Sequence, residues 1–162
     1  MANNILIGIA DLAVGKGTDT LTTLGLGSCV GLVLYDRLSK IGGMAHIMLP
    51  QAPPTVAQKH KAQYGDTAFE ELLSQIVRAG ANPYLLVAKM AGGAHMFATS
   101  TGNDVMKVGQ RNIEICHTLL QKRGIRLLTE DTGGSVGRTI VFYCETGALT
   151  IRTAWPKTEK TI

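Results

Sequence analysis

The chain has 162 residues, 45% hydrophobic and 17% charged, a balance that excludes a disordered segment and suffices for one domain with a buried core. Its net charge of +4 is scattered, densest at Lys59-His60-Lys61 and Lys122-Arg123, without interleaved aromatics to stack on bases, so no nucleic-acid partner is expected. No stretch approaches the ~18 apolar residues of a membrane span, and MANNILIGIADLAV has no basic leader, which together point to a soluble cytoplasmic protein.

Asn4 to Ala10 reads as a first strand, followed by a polar turn around Gly15-Lys16-Gly17 and a short strand near Leu21 to Leu24. Two β-compatible runs follow, Cys29 to Tyr35 and Ile41 to Leu49, and the turn-forming Asp36 to Lys40 between them predicts a hairpin. After the proline-containing loop Gln51 to Pro54, Asp66 is expected to cap a helix. Phe69, Leu72, Leu73, Ile76 and Val77 recur along it at helical spacing until Gly80. Tyr84 to Met90 is a buried-type strand. A second helix, from about Gln110 to Arg123, buries Ile113, Cys116, Leu119 and Leu120 and stops at Gly124. Ile125 to Thr129, Thr139 to Cys144 and Ala148 to Thr153 complete the strands, the last two joined by Glu145-Thr146-Gly147. The expected fold is a single α/β (α+β) domain over residues 1–162, with a mainly antiparallel mixed sheet, two principal helices and a peripheral tail after about residue 153.

One constellation carries chemistry. A symmetric turn centred between Arg37 and Leu38 sets Cys29 directly opposite His46 on one face of the hairpin, with Cβ atoms about 4.5–5.5 Å apart. A one-residue slip would separate them. A free thiol is only a few per cent thiolate near neutral pH, and a neighbouring imidazole can take its proton and later deliver it to a leaving group. The turn Gly25-Leu26-Gly27-Ser28 precedes the thiol, so backbone N–H groups around Gly27 and Ser28 can face an oxyanion. Thr23 is the local candidate for orienting the imidazole, through its hydroxyl or its backbone carbonyl. The same residues also fit a buried structural thiol beside a satisfied core histidine. Ser28 alternates to the other strand face, Cys116 and Cys144 read as core, and Gly92-Gly93 reads as a strand end. The run Gly133 to Arg138 lacks P-loop spacing and reads as a turn. His60, His95 and His117 have no metal-ligand spacing to the pair, the three cysteines have none for structural zinc, and no metal or cofactor is expected.

TLGLGSCV followed by GGMAHIMLP strongly resembles the chemoreceptor glutamine deamidases of chemotaxis, the CheD family. AKMAGGAHMF, GQRN and EDTGGSVGR fit in order, so the resemblance spans nearly all of residues 4 to 153. It implies a layered α/β sandwich, with Cys29 as nucleophile, His46 as general base and acid, and Thr23 as the residue orienting His46. It further implies deamidation of glutamine side chains in the cytoplasmic domain of methyl-accepting chemotaxis receptors through a thioester, and pairing with a CheC-type phosphatase. The alternative is an adaptor that stimulates that phosphatase, with catalysis secondary.

Overall fold

The computed structural model describes residues 2–54, 58–96 and 107–162, with residues 58–60 described by backbone alone. Phe97, the last residue of the AKMAGGAHMF segment, and the side chain of His60 fall outside the described parts.

Among the described residues ten strands form two five-stranded sheets. The first contains β1 (Asn4–Ile7), β3 (Thr20–Leu26), β8 (Arg138–Tyr143), β9 (Leu149–Ala154) and β10 (Lys157–Thr161), in that order. The second runs β2 (Leu12–Lys16), β5 (Ile41–Ile47), β4 (Val30–Asp36), β6 (Leu86–Gly92) and β7 (Arg126–Thr132). β1–β3 and β6–β7 pair in parallel and the other neighbours antiparallel. This is the layered α/β architecture expected from the sequence, with its strands divided between two sheets instead of one.

The two helices, α1 (Gly65–Arg78) and α2 (Val108–Arg123), cover the outer face of the second sheet. Phe69, Leu72 and Ile76 of α1 and Cys116 and Leu120 of α2 bury against Val30, Leu32, Leu34, Ala45 and Ile47. The opposite face meets the first sheet, where Val33, Tyr35 and Met44 pack on Leu21, Leu26, Ile140, Phe142 and Ile151. Covered on both faces, β4 and β5 are buried at every position, which is why their sequences lack polar alternation. Small residues let the layers close. A Cβ on Gly31 would come within 2.5 Å of Ile140 Cδ1, and one on Gly43 within 2.6 Å of Leu72 Cδ1.

Several boundaries differ from the sequence expectation. Leu12–Lys16 is a strand paired with β5, and the turn begins only at Gly17, whose φ is 61°. Asp66 lies in the first turn of α1, where its carboxylate accepts from the amides of Thr67 and Ala52; the cap position is Tyr64, without a side-chain hydrogen bond. Tyr84 stands in a 3-10 turn, Pro83–Leu85, and is 93% exposed. The segment after Thr153, expected as a peripheral tail, contains an exposed strand. β10 pairs with β9 as an exposed edge strand, and Ile162 exchanges backbone hydrogen bonds with Leu149. The left-handed Gly124, φ 66°, ends α2 as expected.

Leu72 is fully buried between α1 and Gly43 of β5. Leu72→Ala is expected to lower stability by about 2–5 kcal/mol through lost transfer energy and a residual cavity, measured by urea unfolding.

Candidate active site

β3 builds the first part of the site. Leu21 and Thr23 point inward and are buried, and strict alternation would send residue 25 inward next. Instead the β3–β8 register shifts between Thr23 and Leu26, with Gly25 at φ 65°, so Leu24 is 55% exposed and Leu26 is buried. This bulge re-aims the strand. Gly27, Ser28 and Cys29 then carry the chain from the first sheet to β4 in the second.

The β4–β5 hairpin has a different register from the symmetric one expected. The closing pair is Asp36–Ile41, and His46 faces Gly31, not Cys29. The cause lies in the loop. The buried Asp36 carboxylate accepts from the amides of Leu38 and Ser39, and Lys40 adopts φ 57°. These contacts close a four-residue loop, Arg37 to Lys40, centred between Leu38 and Ser39. The slip is two residues on one strand, so side-chain parity is kept. The ladder ends one residue short of Cys29, at Val30–Ile47, so no hairpin pair sets Cys29 against His46. Cys29 is partly buried and packs on the same intersheet cluster as Met44, which shares the His46 face.

His46 and Thr23 are both fully buried, and Thr23 Oγ1 lies 2.7 Å from His46 Nδ1. The Thr23 hydroxyl also donates to the Ile7 carbonyl at 2.7 Å. A hydroxyl has one proton, so the threonine oxygen accepts from Nδ1–H. That fixes the tautomer, leaving the lone pair on Nε2. Nε2 is buried and has no hydrogen-bond partner among the described residues.

The carbonyls of the crossing turn are all held. The Ala94 amide donates to Gly27 O at 2.8 Å, the Gly93 amide to Cys29 O at 2.8 Å, and Asn112 Nδ2 to Ser28 O at 2.9 Å. The amides of Gly27, Ser28 and Cys29 donate no hydrogen bond among the described residues. Gly92 and Gly93, which read as a strand end, are therefore supports of the turn that carries Cys29. A Cβ on Gly92, at φ 110°, would sit 2.3 Å from Cys29 O. The run Gly133 to Arg138 is the turn expected, and it buttresses this strand end. The Gly133 amide and Arg138 Nη1 both donate to Gly92 O, while Arg138 Nε donates to Asp131 at 3.1 Å.

Asn112, within the GQRN segment, has no role in the sequence expectation. Its signal was positional, since Asn112, Cys116 and Leu120 are spaced four apart on the buried stripe of α2. Cys116 and Cys144 are buried core thiols, as read from the sequence, and their pKa values are pushed up to about 12 and about 11 by desolvation. Beside the turn, a groove of about 580 Å³ is lined by Gly25, Met96, Arg138, Arg152 and Trp155, among others. Met96 reaches it by lying across Gly27.

Burial raises the Cys29 thiol pKa and lowers that of His46. Both shifts favour the neutral forms, so the resting pair is thiol and imidazole and not thiolate and imidazolium. The arrangement has a proton donor, an oriented acceptor and amides without a partner among the described residues, which is the equipment for acyl transfer through a thiol. Among the described residues no three His, Cys, Asp or Glu side chains converge as a metal site would require.

The model of the family described as CheD chemotactic sensory transduction matches residues 48–153. A relative named chemoreceptor glutamine deamidase CheD, from Halalkalibacterium halodurans, is 50% identical over 154 residues, covering 94% of this chain and 95% of its own. The chain belongs to the CheD family. Relatives named probable chemoreceptor glutamine deamidase CheD are 46% identical in Caldanaerobacter subterraneus, over 94% of this chain and 95% of theirs, and 46% identical in Thermococcus kodakarensis, over 91% of each. A Neisseria meningitidis protein of the DUF152 family shares the fold at TM-score 0.50 with 11% identity, over 83% of this chain and 65% of its own. The CheD family match begins two residues past His46 and so does not reach Thr23 or Cys29.

Because burial raises the Cys29 pKa, its alkylation by iodoacetamide is expected to accelerate with pH and to bend above the ordinary thiol value of about 8.5. Peptide mapping of the labelled residue across pH 6–10 checks this. An inflection below neutrality would instead reveal a resting ion pair with His46.

Proposed function

We propose that the protein deamidates glutamine side chains of methyl-accepting chemotaxis receptors, with Cys29 as nucleophile, His46 as base and acid, and Thr23 as the group that orients His46. The reading rests above all on the hydrogen-bond pattern at Thr23, which leaves a bare, buried Nε2 on the face that Cys29 shares. The names of the CheD relatives supply the substrate class.

The chemistry runs in two halves. Nε2 takes the thiol proton as Sγ attacks the side-chain amide carbon, and the amides of Ser28 and Cys29, with that of Gly27 beside them, receive the developing oxyanion. The imidazolium returns the proton to the amide nitrogen, the C–N bond breaks, ammonia leaves and a thioester remains. Water then attacks the thioester while Nε2 takes its proton. The C–S bond breaks, the proton passes to sulfur, and glutamate is released in place of glutamine. The hairpin does not pair Cys29 with His46 in the free state, and catalytic contacts often tighten only with substrate bound.

Pairing with a CheC-type phosphatase belongs to the same family expectation. An adaptor alone, however, has no use for a tautomer-fixed histidine behind an unbonded run of amides. For that reason the catalytic reading stands first.

Cys29→Ala is expected to reduce deamidation of a purified receptor cytoplasmic fragment by at least about 10³-fold, read as absence of the mass gain that accompanies NH2 replacement by OH. Cys116→Ala and Cys144→Ala should stay within about twofold of wild type when assayed well below their melting temperatures. Normal turnover by Cys29→Ala would remove the nucleophile from the proposal.

Thr23→Val keeps the shape and removes the acceptor for Nδ1–H. The expected result is a fall in kcat of about 10–100-fold with little change in KM, because the imidazole loses its fixed tautomer and not a substrate contact. Thr23→Ser should recover most of the loss. Full activity in Thr23→Val would transfer the orienting role elsewhere.

A further inference from the structure

Asn112 is fully buried on α2, and both of its amide protons are committed: Nδ2 donates to Ser28 O at 2.9 Å and to Met48 O at 3.0 Å. Two carbonyl partners leave no ambiguity about which end of the amide is nitrogen. Its Oδ1 is buried and has no partner among the described residues. Burying an unsatisfied acceptor is unfavourable. The next positions on the same stripe, Cys116 and Leu120, are apolar, so packing alone would be served better by an apolar side chain here.

Its location gives the amide a use. The β4–β5 ladder ends at Val30–Ile47. Beyond it the strands part, since the amides of Met48 and Leu49 donate to Gln63 O and Cys29 O is held by Gly93. Asn112 spans that gap. One bond holds the residue before the nucleophile, and the other holds the residue two beyond the histidine.

The first bond also sets a direction. In a planar trans peptide the C=O and N–H point to opposite sides. Holding Ser28 O toward α2 therefore aims the Cys29 N–H away from α2, and the Ala94 bond to Gly27 O aims the Ser28 N–H away from Ala94.

We infer that Asn112 is a positioning residue that clamps the Cys29 turn to the end of the His46 strand and aims the Cys29 amide at the substrate oxygen. The inference rests on the proposed deamidase reading and assigns no substrate contact to Asn112 itself. Its loss should misplace groups that act in the transition state while leaving receptor docking intact.

The test compares Asn112→Leu, which removes both donors at similar volume, with Leu120→Ala, which weakens the same helix two turns away. Each variant is assayed on the receptor cytoplasmic fragment at a temperature where circular dichroism shows it folded. Asn112→Leu is expected to lose about 100-fold in kcat with KM within about threefold of wild type, since small misplacements at a reacting centre carry losses of this order. Leu120→Ala should keep kcat within about twofold despite a comparable drop in melting temperature. Asn112→Ser, which retains one donor, should fall between Asn112→Leu and wild type, and it replaces Asn112→Leu if that variant does not fold. Wild-type kcat in Asn112→Leu, or in Asn112→Ser where it stands in, overturns the inference, as does an equal loss in Leu120→Ala. Cys29→Ala in the same assay separates the two ideas: if it is inactive while Asn112→Leu is normal, only the clamp is wrong. If Cys29→Ala is active, the deamidase mechanism itself fails.

Discussion

The Thr23 hydroxyl has a single proton and two neighbours at 2.7 Å, the Ile7 carbonyl and His46 Nδ1. A carbonyl can only accept, so the proton goes to Ile7 and the histidine must donate. Every other feature of the site depends on that constraint. It fixes the tautomer and so leaves the lone pair on Nε2, the atom that on the proposed mechanism takes the proton of the half-buried Cys29 thiol. The constraint reaches into the fold as well, because Ile7 accepts only while β1 lies parallel to β3 with Ile7 paired to Thr23. An edge strand of four residues thereby determines the protonation pattern of a histidine in the other sheet.

The sandwich supplies this arrangement by bringing its layers close at the crossing. Thr23 comes from the first sheet, His46 from the second, and Cys29 from the three-residue link that passes between them. A glycine at position 92 permits Cys29 O to approach that strand end, where a Cβ would be 2.3 Å away. The bulge at Gly25 then keeps both Thr23 and Leu26 inward. With Gly27 O bonded to the Ala94 amide and Ser28 O to Asn112 of α2, the amides of Ser28 and Cys29 point away from those partners. On the proposed mechanism that donor group is backbone, with the Asn112 side chain holding one of its peptides in orientation.

Much of this was legible in the sequence, and the failures have identifiable causes. The helices, the hairpin and the last three sequence-predicted strands follow from hydrophobic period and glycine stops. β2 was hidden because Gly15-Lys16-Gly17 has turn chemistry, although Gly15 lies in the ladder opposite Gly42. β10 was hidden because an edge strand exposed at every position has no alternation to read. The division into two sheets was not visible either, since a link as short as Gly27 to Cys29 looks the same whether the chain stays in one sheet or leaves it. At the site, the symmetric turn expected between Cys29 and His46 failed because the Asp36 carboxylate moved the register by two residues, setting His46 against Gly31. Asn112 escaped because its partners are backbone carbonyls 64 and 84 residues away in sequence, a relation that spacing cannot express.

The absence of a charge behind the imidazole has its own logic on the proposed mechanism. A carboxylate hydrogen-bonded to Nδ1 would stabilise the imidazolium, strengthening His46 as a base while weakening it as an acid. Deamidation depends heavily on the acid half, because an amide nitrogen leaves only after it has been protonated. A threonine hydroxyl orients the ring as a carboxylate would, yet adds no negative charge. Burial already lowers the His46 pKa, so an imidazolium formed during attack is a stronger acid than one in water when the amide nitrogen departs. The same burial keeps Cys29 protonated at rest, which withholds the nucleophile from adventitious electrophiles until an amide carbon occupies the site. Thr23 thus gives up base strength at rest for acid strength at the step where ammonia departs.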